Sequence, residues 1–156
     1  MNKTSLFRIF SFVGILMCFS SFALQAQSEK QFTIMLKILP EVVGNENCVV
    51  EIIKNGKETS KVDILVNGEY NALALDYFNK YSLSFKYPGH LIKVLPVSTE
   101  VPQEVWHKDP NFPPFPLLIS LVKKTTENDE NELSKPSKGI AYDKQVDNFV
   151  KVELNK

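Results

Sequence analysis

From Gln31 onward the chain alternates apolar and polar residues with a period of two, and this period constrains the fold more than any other feature. Successive side chains of a strand point to opposite faces, so alternation marks strands with one face buried and the other solvated. The clearest run sets Tyr81, Leu83, Phe85 and Tyr87 against Ser82, Ser84 and Lys86. Phe32, Ile34, Leu36 and Ile38 likewise share a face opposite Thr33 and Lys37, with Met35 and Leu39 softening the contrast. Further strands are expected at about 48–54, 61–66, 91–97, 117–123 and 147–154, which makes about seven or eight in all. Asn71 to Leu75 reads as strand followed by a turn through Asp76 and Asn79, although Ala72, Leu73, Ala74 and Leu75 also suit a short helix.

The turn residues point to antiparallel neighbours. Asn55-Gly56 and Asn67-Gly68 each lie between apolar segments and accept the positive φ of type I′ hairpin turns; Pro88-Gly89 is a third break. Two segments leave the strand rhythm. Val101 to Pro116 holds Pro102, Pro110, Pro113, Pro114 and Pro116, which withhold ladder donors and predict an extended, irregular path. Thr125 to Lys138 is polar and acidic, with Glu127, Asp129, Glu130 and Glu132 before Pro136, and reads as a flexible loop. Many short strands without a helical period predict an all-β, antiparallel sandwich of seven to eight strands with a C-terminal extension. The expected division is an export signal over 1–26, the sandwich over 27–123, the acidic loop over 124–138, and a C-terminal strand segment over 139–156 that packs back on the sandwich.

The export signal rests on Lys3 and Arg8, the apolar run Ile9 to Phe19, and the small residues Ser20, Ser21, Ala23 and Ala26. As a helix that run is roughly 16 Å long, against a hydrocarbon core of roughly 30 Å. Cleavage after Ala26 or after Ala23 fits, and no transmembrane span is expected afterwards. Acylation of Cys18 would place Met17 where a small residue is needed.

Past residue 26 the chain has 16 Lys, 18 Asp plus Glu and no Arg. Without the guanidinium fork or a basic surplus, nucleic acid is not an expected partner. Cys48 is then the lone cysteine, so no intramolecular disulfide forms, and its place at the head of Cys48-Val49-Val50 predicts a buried strand position.

Residues 49–99 resemble the carboxypeptidase regulatory-like domain, a transthyretin-like β-sandwich of exported Gram-negative bacterial proteins. The motifs that carry the resemblance are Val50-Glu51-Ile52-Ile53-Lys54-Asn55-Gly56-Lys57, Leu65-Val66-Asn67-Gly68-Glu69-Tyr70 and Tyr81-Ser82-Leu83-Ser84-Phe85-Lys86-Tyr87-Pro88-Gly89-His90. Thr99, Val101 and Pro102, then Phe112, Phe115 and Pro116, then Lys138, Ile140, Tyr142 and Asp143 are similar to a subset of uncharacterised envelope proteins. The resemblance lacks the Gly-Ala pair that precedes the second strand and the Asp of the third element, where Val66 or Asn67 stands. It implies a scaffold or recognition module in the periplasm or at the outer surface, bound to another envelope protein or a surface polymer, with no catalytic residue.

The residues themselves offer few sites for chemistry. His90 and His107 are the two histidines, and His107 lies near Glu104 and Asp109, so a metal or substrate site of a hydrolytic enzyme is the alternative reading. No nucleophile elbow, zinc-protease motif or phosphate loop occurs, and neither metal nor cofactor is expected. Trp106, His107, Phe112 and Phe115 are the candidate partner-binding residues. Prolines restrict the unfolded chain around them, so aromatic surface is presented at low entropic cost. The same rings also suit a lid over the open end of the sandwich.

Overall fold

The computed structural model describes residues 30–39, 46–108, 111–125 and 135–154. The export signal with Cys18, most of the acidic loop, and Asp109 with Pro110 lie outside them. Among the described residues there are nine strands and one short helix: β1 Gln31–Leu39, β2 Asn47–Lys54, β3 Lys57–Leu65, β4 Asn71–Asp76, β5 Lys80–Lys86, β6 Lys93–Ser98, α1 Gln103–Lys108, β7 Phe115–Ser120, β8 Lys138–Asp143 and β9 Asn148–Glu153.

They form two sheets, ordered β4-β1-β7 and β3-β2-β5-β6-β8-β9. The fold is all-β and sandwich-like, but two expectations need correction. There are nine strands rather than seven or eight, and both sheets are mixed: β1 pairs with β7 in parallel and β6 with β8 in parallel, while the other pairs are antiparallel. The physical reason lies in the connections. A parallel pair cannot be closed by a tight turn, and β7 and β8 each reach their parallel partners only after a long intervening stretch of chain.

The alternation does its expected work. Phe32, Ile34, Leu36 and Ile38 of β1 are buried, as are Val50 and Ile52 of β2 and Tyr81, Leu83 and Phe85 of β5. Full burial of each aliphatic side chain stabilises the fold by about 1.5–3 kcal/mol. Cys48 is fully buried. Asn71–Asp76 is strand, and the helical option for that segment is not taken.

The two Asn-Gly pairs behave differently. Asn55 (φ 50°) and Gly56 (φ 79°) close the β2–β3 hairpin, with Lys54 opposite Lys57. At Asn67-Gly68 no hairpin forms, because β3 and β4 belong to different sheets; there the Asn67 side-chain oxygen accepts from the Glu69 N–H at 3.0 Å. Lone turn chemistry marks a reversal of the chain but does not say which sheet receives it.

The proline-rich segment is also corrected. Instead of an extended path throughout, Gln103–Lys108 winds into α1, with the Pro102 carbonyl accepting from the N–H groups of Val105 and Trp106, both at 3.0 Å. Pro102 sits just before the helix, where its missing N–H costs nothing. Glu104 in the first turn and Lys108 in the last complement the helix dipole. Phe115-Pro116 then opens β7, an edge strand, where a missing donor is tolerated.

A second proline shapes the other side of the molecule. A Cβ added at Gly139 of β8 would lie 3.0 Å from the Pro96 carbonyl oxygen, so that oxygen faces β8 and a larger residue there would have to push it back by a few tenths of an ångström. Pro96 can send no N–H toward β8, and the β6–β8 ladder has the single register pair Val97↔Ile140. On the Lys93 side of that pair the strands part.

Candidate functional site

Two surface features lie at opposite ends of the same strands. The first is aromatic. Phe32 at the start of β1 stacks on Phe149 of β9 with ring centroids 4.1 Å apart, and Tyr77 lies 6.3 Å from each of them. Onto this cluster α1 brings Trp106, 4.7 Å from Tyr77 and edge-on to Phe78 at 5.0 Å. Phe112 meets Phe149 at 5.2 Å and Tyr142 at 5.8 Å, and Phe115 meets Phe32 at 6.3 Å. The structure therefore brings Trp106, Phe112 and Phe115 together at one end, each half-buried against the core. Geometry of this kind stabilises beyond burial by about 0.5–1.5 kcal/mol per ring pair.

His107 is exposed on α1. His90 is half-buried elsewhere, its Nδ1 2.9 Å from the Pro88 carbonyl and its ring 5.0 Å from Tyr87. Because His90 follows β5 and His107 follows the antiparallel β6, the two stand at opposite ends of the sheet. Among the described residues no group of three or more His, Cys, Asp or Glu is placed to hold a metal ion.

Beside α1 is a cleft of about 370 Å³, bordered by Glu104, Lys108, Phe112 and Asp147. The Tyr142 hydroxyl donates to the Asp147 carboxylate there. That bond and the negative charges nearby push the phenol up to about 12, so Tyr142 keeps its proton at ordinary pH.

The second feature is a groove of about 1060 Å³ where β6 and β8 part and the edge strand β7 passes over them. It takes the Lys93–Leu95 half of β6, the Leu117–Ser120 half of β7, the Lys138–Ile140 half of β8 and the Lys151 end of β9. Among the described residues its wall holds ten aliphatic residues and four lysines, Lys93, Lys135, Lys138 and Lys151, with no aromatic residue and no carboxylate. Three of its apolar residues are unusually exposed, Ile92 at 45%, Leu118 at 49% and Val122 at 46%.

The lysines are not alike. The Lys93 ammonium donates to the Ser120 carbonyl at 3.3 Å and is held below its ordinary pKa, first by burial and then by the charge of Lys151. Lys138 pairs with Glu153 at 3.0 Å. Sequence reasoning missed this groove because Lys93, Lys138 and Lys151 fall in strands where a lysine reads as part of a solvated face, and Lys135 lies in the polar segment before β8. The one local signal was Pro96, which interrupts a strand that is not at a sheet edge.

The loop between β4 and β5 is anchored separately. Fully buried Thr99 directs its hydroxyl to the Asp76 carbonyl at 2.7 Å, with the Asn79 carbonyl at 3.0 Å, and accepts from the Asn79 N–H at 3.1 Å. Phe78, in the left-handed region at φ 61°, donates its N–H to the Thr99 carbonyl at 3.0 Å. Among the described residues no buried side-chain polar atom lacks a partner.

Compared with protein families, curated proteins and solved structures, the chain matches none.

Proposed function

We propose that this chain is an exported, non-catalytic β-sandwich module of a bacterial cell envelope, transthyretin-like in its sandwich, that binds another envelope component. The observation that carries the reading is the groove. Its described wall supplies aliphatic surface and four lysine ammonium groups, which suits holding a ligand. The resemblance of residues 49–99 to the carboxypeptidase regulatory-like domain supports the same reading, and the first 26 residues support export. Among the described residues no helix is long and apolar enough to cross a membrane.

The test has two parts. Protein recovered from the envelope fraction of its native host has lost its first 23 to 26 residues, and it binds envelope components saturably without turning over ester or peptide substrates, with or without zinc. An intact N-terminus removes export from the reading. Hydrolysis abolished by His90→Ala or His107→Ala replaces the module with an enzyme.

A further inference from the structure

We infer that the groove between β6, β7 and β8 is a site for an anionic amphiphile, a single alkyl chain carrying a phosphate-type head. The inference rests on the binding-module reading and names the ligand chemistry of that module.

The argument starts from what the wall offers. Of its ten aliphatic residues Leu91, Leu95, Leu117, Ile119 and Ile140 are already buried, and the exposed Ile92, Leu118 and Val122 leave an apolar surface that only an apolar ligand desolvates favourably. Among the described residues the wall has no aromatic ring on which a sugar or base could stack, which favours an alkyl chain. The volume of about 1060 Å³ lies at the upper end of the range for small-molecule sites.

Charge selects the head. Four lysines border the groove and, among the described residues, no carboxylate lines it; the described compensation is Glu153 on Lys138. Lys93 and Lys151 repel each other across a partly buried space, so an anion between them relieves a cost already present in the free protein. A head with two negative charges makes fuller use of several point-charge ammonium groups than one with a single charge. The aromatic end shows the contrast: its cleft is bordered by Glu104 and Asp147 as well as Lys108.

Dodecyl phosphate below its micelle concentration is the probe, titrated into the full mature chain and followed by amide NMR shifts. Trp106 fluorescence serves as an internal control, since the single tryptophan lies at the other end of the strands. Binding is expected to be saturable and one-to-one, with shifts at 91–95, 117–120 and 138–140 and little change in Trp106. Dodecyl maltoside, dodecyl trimethylammonium and inorganic phosphate should each bind at least about tenfold more weakly, the size expected for losing a charged contact. Lys93→Gln with Lys151→Gln, and separately Leu118→Glu, should weaken dodecyl phosphate by about tenfold or more, whereas Lys57→Gln outside the groove should not. Leu118 is half exposed, so its variant retains the fold, as an unchanged melting temperature verifies.

Equal affinity for the maltoside overturns the inference by reducing the groove to an apolar surface. Shifts centred on Trp106 and Phe112 overturn it as well. Groove shifts on neutralising Glu127, Asp129, Glu130 and Glu132 with no probe present would assign the groove to the chain's own acidic stretch and also overturn it. Failure of dodecyl phosphate to bind, with saturable binding of another envelope component, sinks this ligand class and leaves the module reading standing.

Discussion

Replacing Thr99 by valine keeps the side-chain shape and deletes one hydroxyl, which makes it a sharp test of how the β4–β5 loop is held. That hydroxyl donates toward the Asp76 carbonyl and accepts from the Asn79 N–H in a site with no exposure of Thr99 itself. Valine leaves both backbone groups without this partner. Each such loss costs about 1–3 kcal/mol, and since the Asp76 carbonyl keeps the Tyr81 hydroxyl at 3.3 Å and both residues are half-buried, the total is about 2 kcal/mol. The backbone bonds Phe78 to Thr99 and Thr99 to Asn79 remain, so the loop loosens rather than detaches. In a domain of this size each kcal/mol moves the melting temperature by roughly 4 °C or more, so Thr99→Val should melt at least about 8 °C lower. Thr99→Ser keeps the hydroxyl and loses one methyl, a cost near 1 kcal/mol. Circular dichroism melts and urea titrations with an unchanged slope measure both variants. If valine melts within about 2 °C of the parent, or serine is as damaging as valine, the hydroxyl is not what holds the loop.

Trp106→Ala should cost about 1.5–3 kcal/mol in urea unfolding, less than the 3–5 of a fully buried ring, because the indole is half-buried against Tyr77 and Phe78. A loss under about 0.5 kcal/mol would show that the ring faces solvent. Cys48 should react with a disulfide reagent only as fast as the domain unfolds, since its side chain is buried and burial pushes the thiol up to about 11; rapid stoichiometric labelling of folded protein contradicts this. Asp76 is held below the usual carboxylate range by the Lys54 ammonium at 2.6 Å and then by the Gln31 amide. A depressed folded pKa adds stability above the unfolded value near 4 and loses it as pH falls through the folded value, so the small difference between parent and Lys54→Met at neutral pH should vanish as the Asp76 carboxylate is protonated in acid. A difference that persists in acid assigns it to packing of the Lys54 stem.

The strands were legible because alternation is local. The face predicted for Tyr81, Leu83, Phe85 and Tyr87 is the buried face of β5 and the residue beyond it, and Asn55-Gly56 closes a hairpin that its own φ angles encode. What is not local was not legible. Parallel pairing of β1 with β7 depends on contacts between distant segments, and Asn67-Gly68 has the same chemistry whether the chain stays in its sheet or changes it. The polar start of β3 at Lys57 shows no alternation and is strand because the hairpin register aligns it with β2. For α1, five prolines within sixteen residues outweighed the proline-free turn between Pro102 and Pro110. Of the candidate site, the gathering of Trp106, Phe112 and Phe115 followed from composition. The groove did not, since it is assembled from halves of four strands and no segment carries more than a fragment of it.

The parallel partnership of β1 has a kinetic side. Ile34 pairs with Phe115, so about eighty residues must be in place before that edge of β1 closes, whereas the β2–β3 hairpin needs only its own turn. A chain delivered from its N-terminus therefore presents the apolar segment Phe32 to Ile38 first and completes its pairing late. Refolding should be slow for a domain this small, with the β2–β3 hairpin protected against amide exchange before the β7-facing edge of β1. In that interval β1 is the part of the molecule most open to aggregation, and a chaperone that shields unpaired strands would have its greatest effect there.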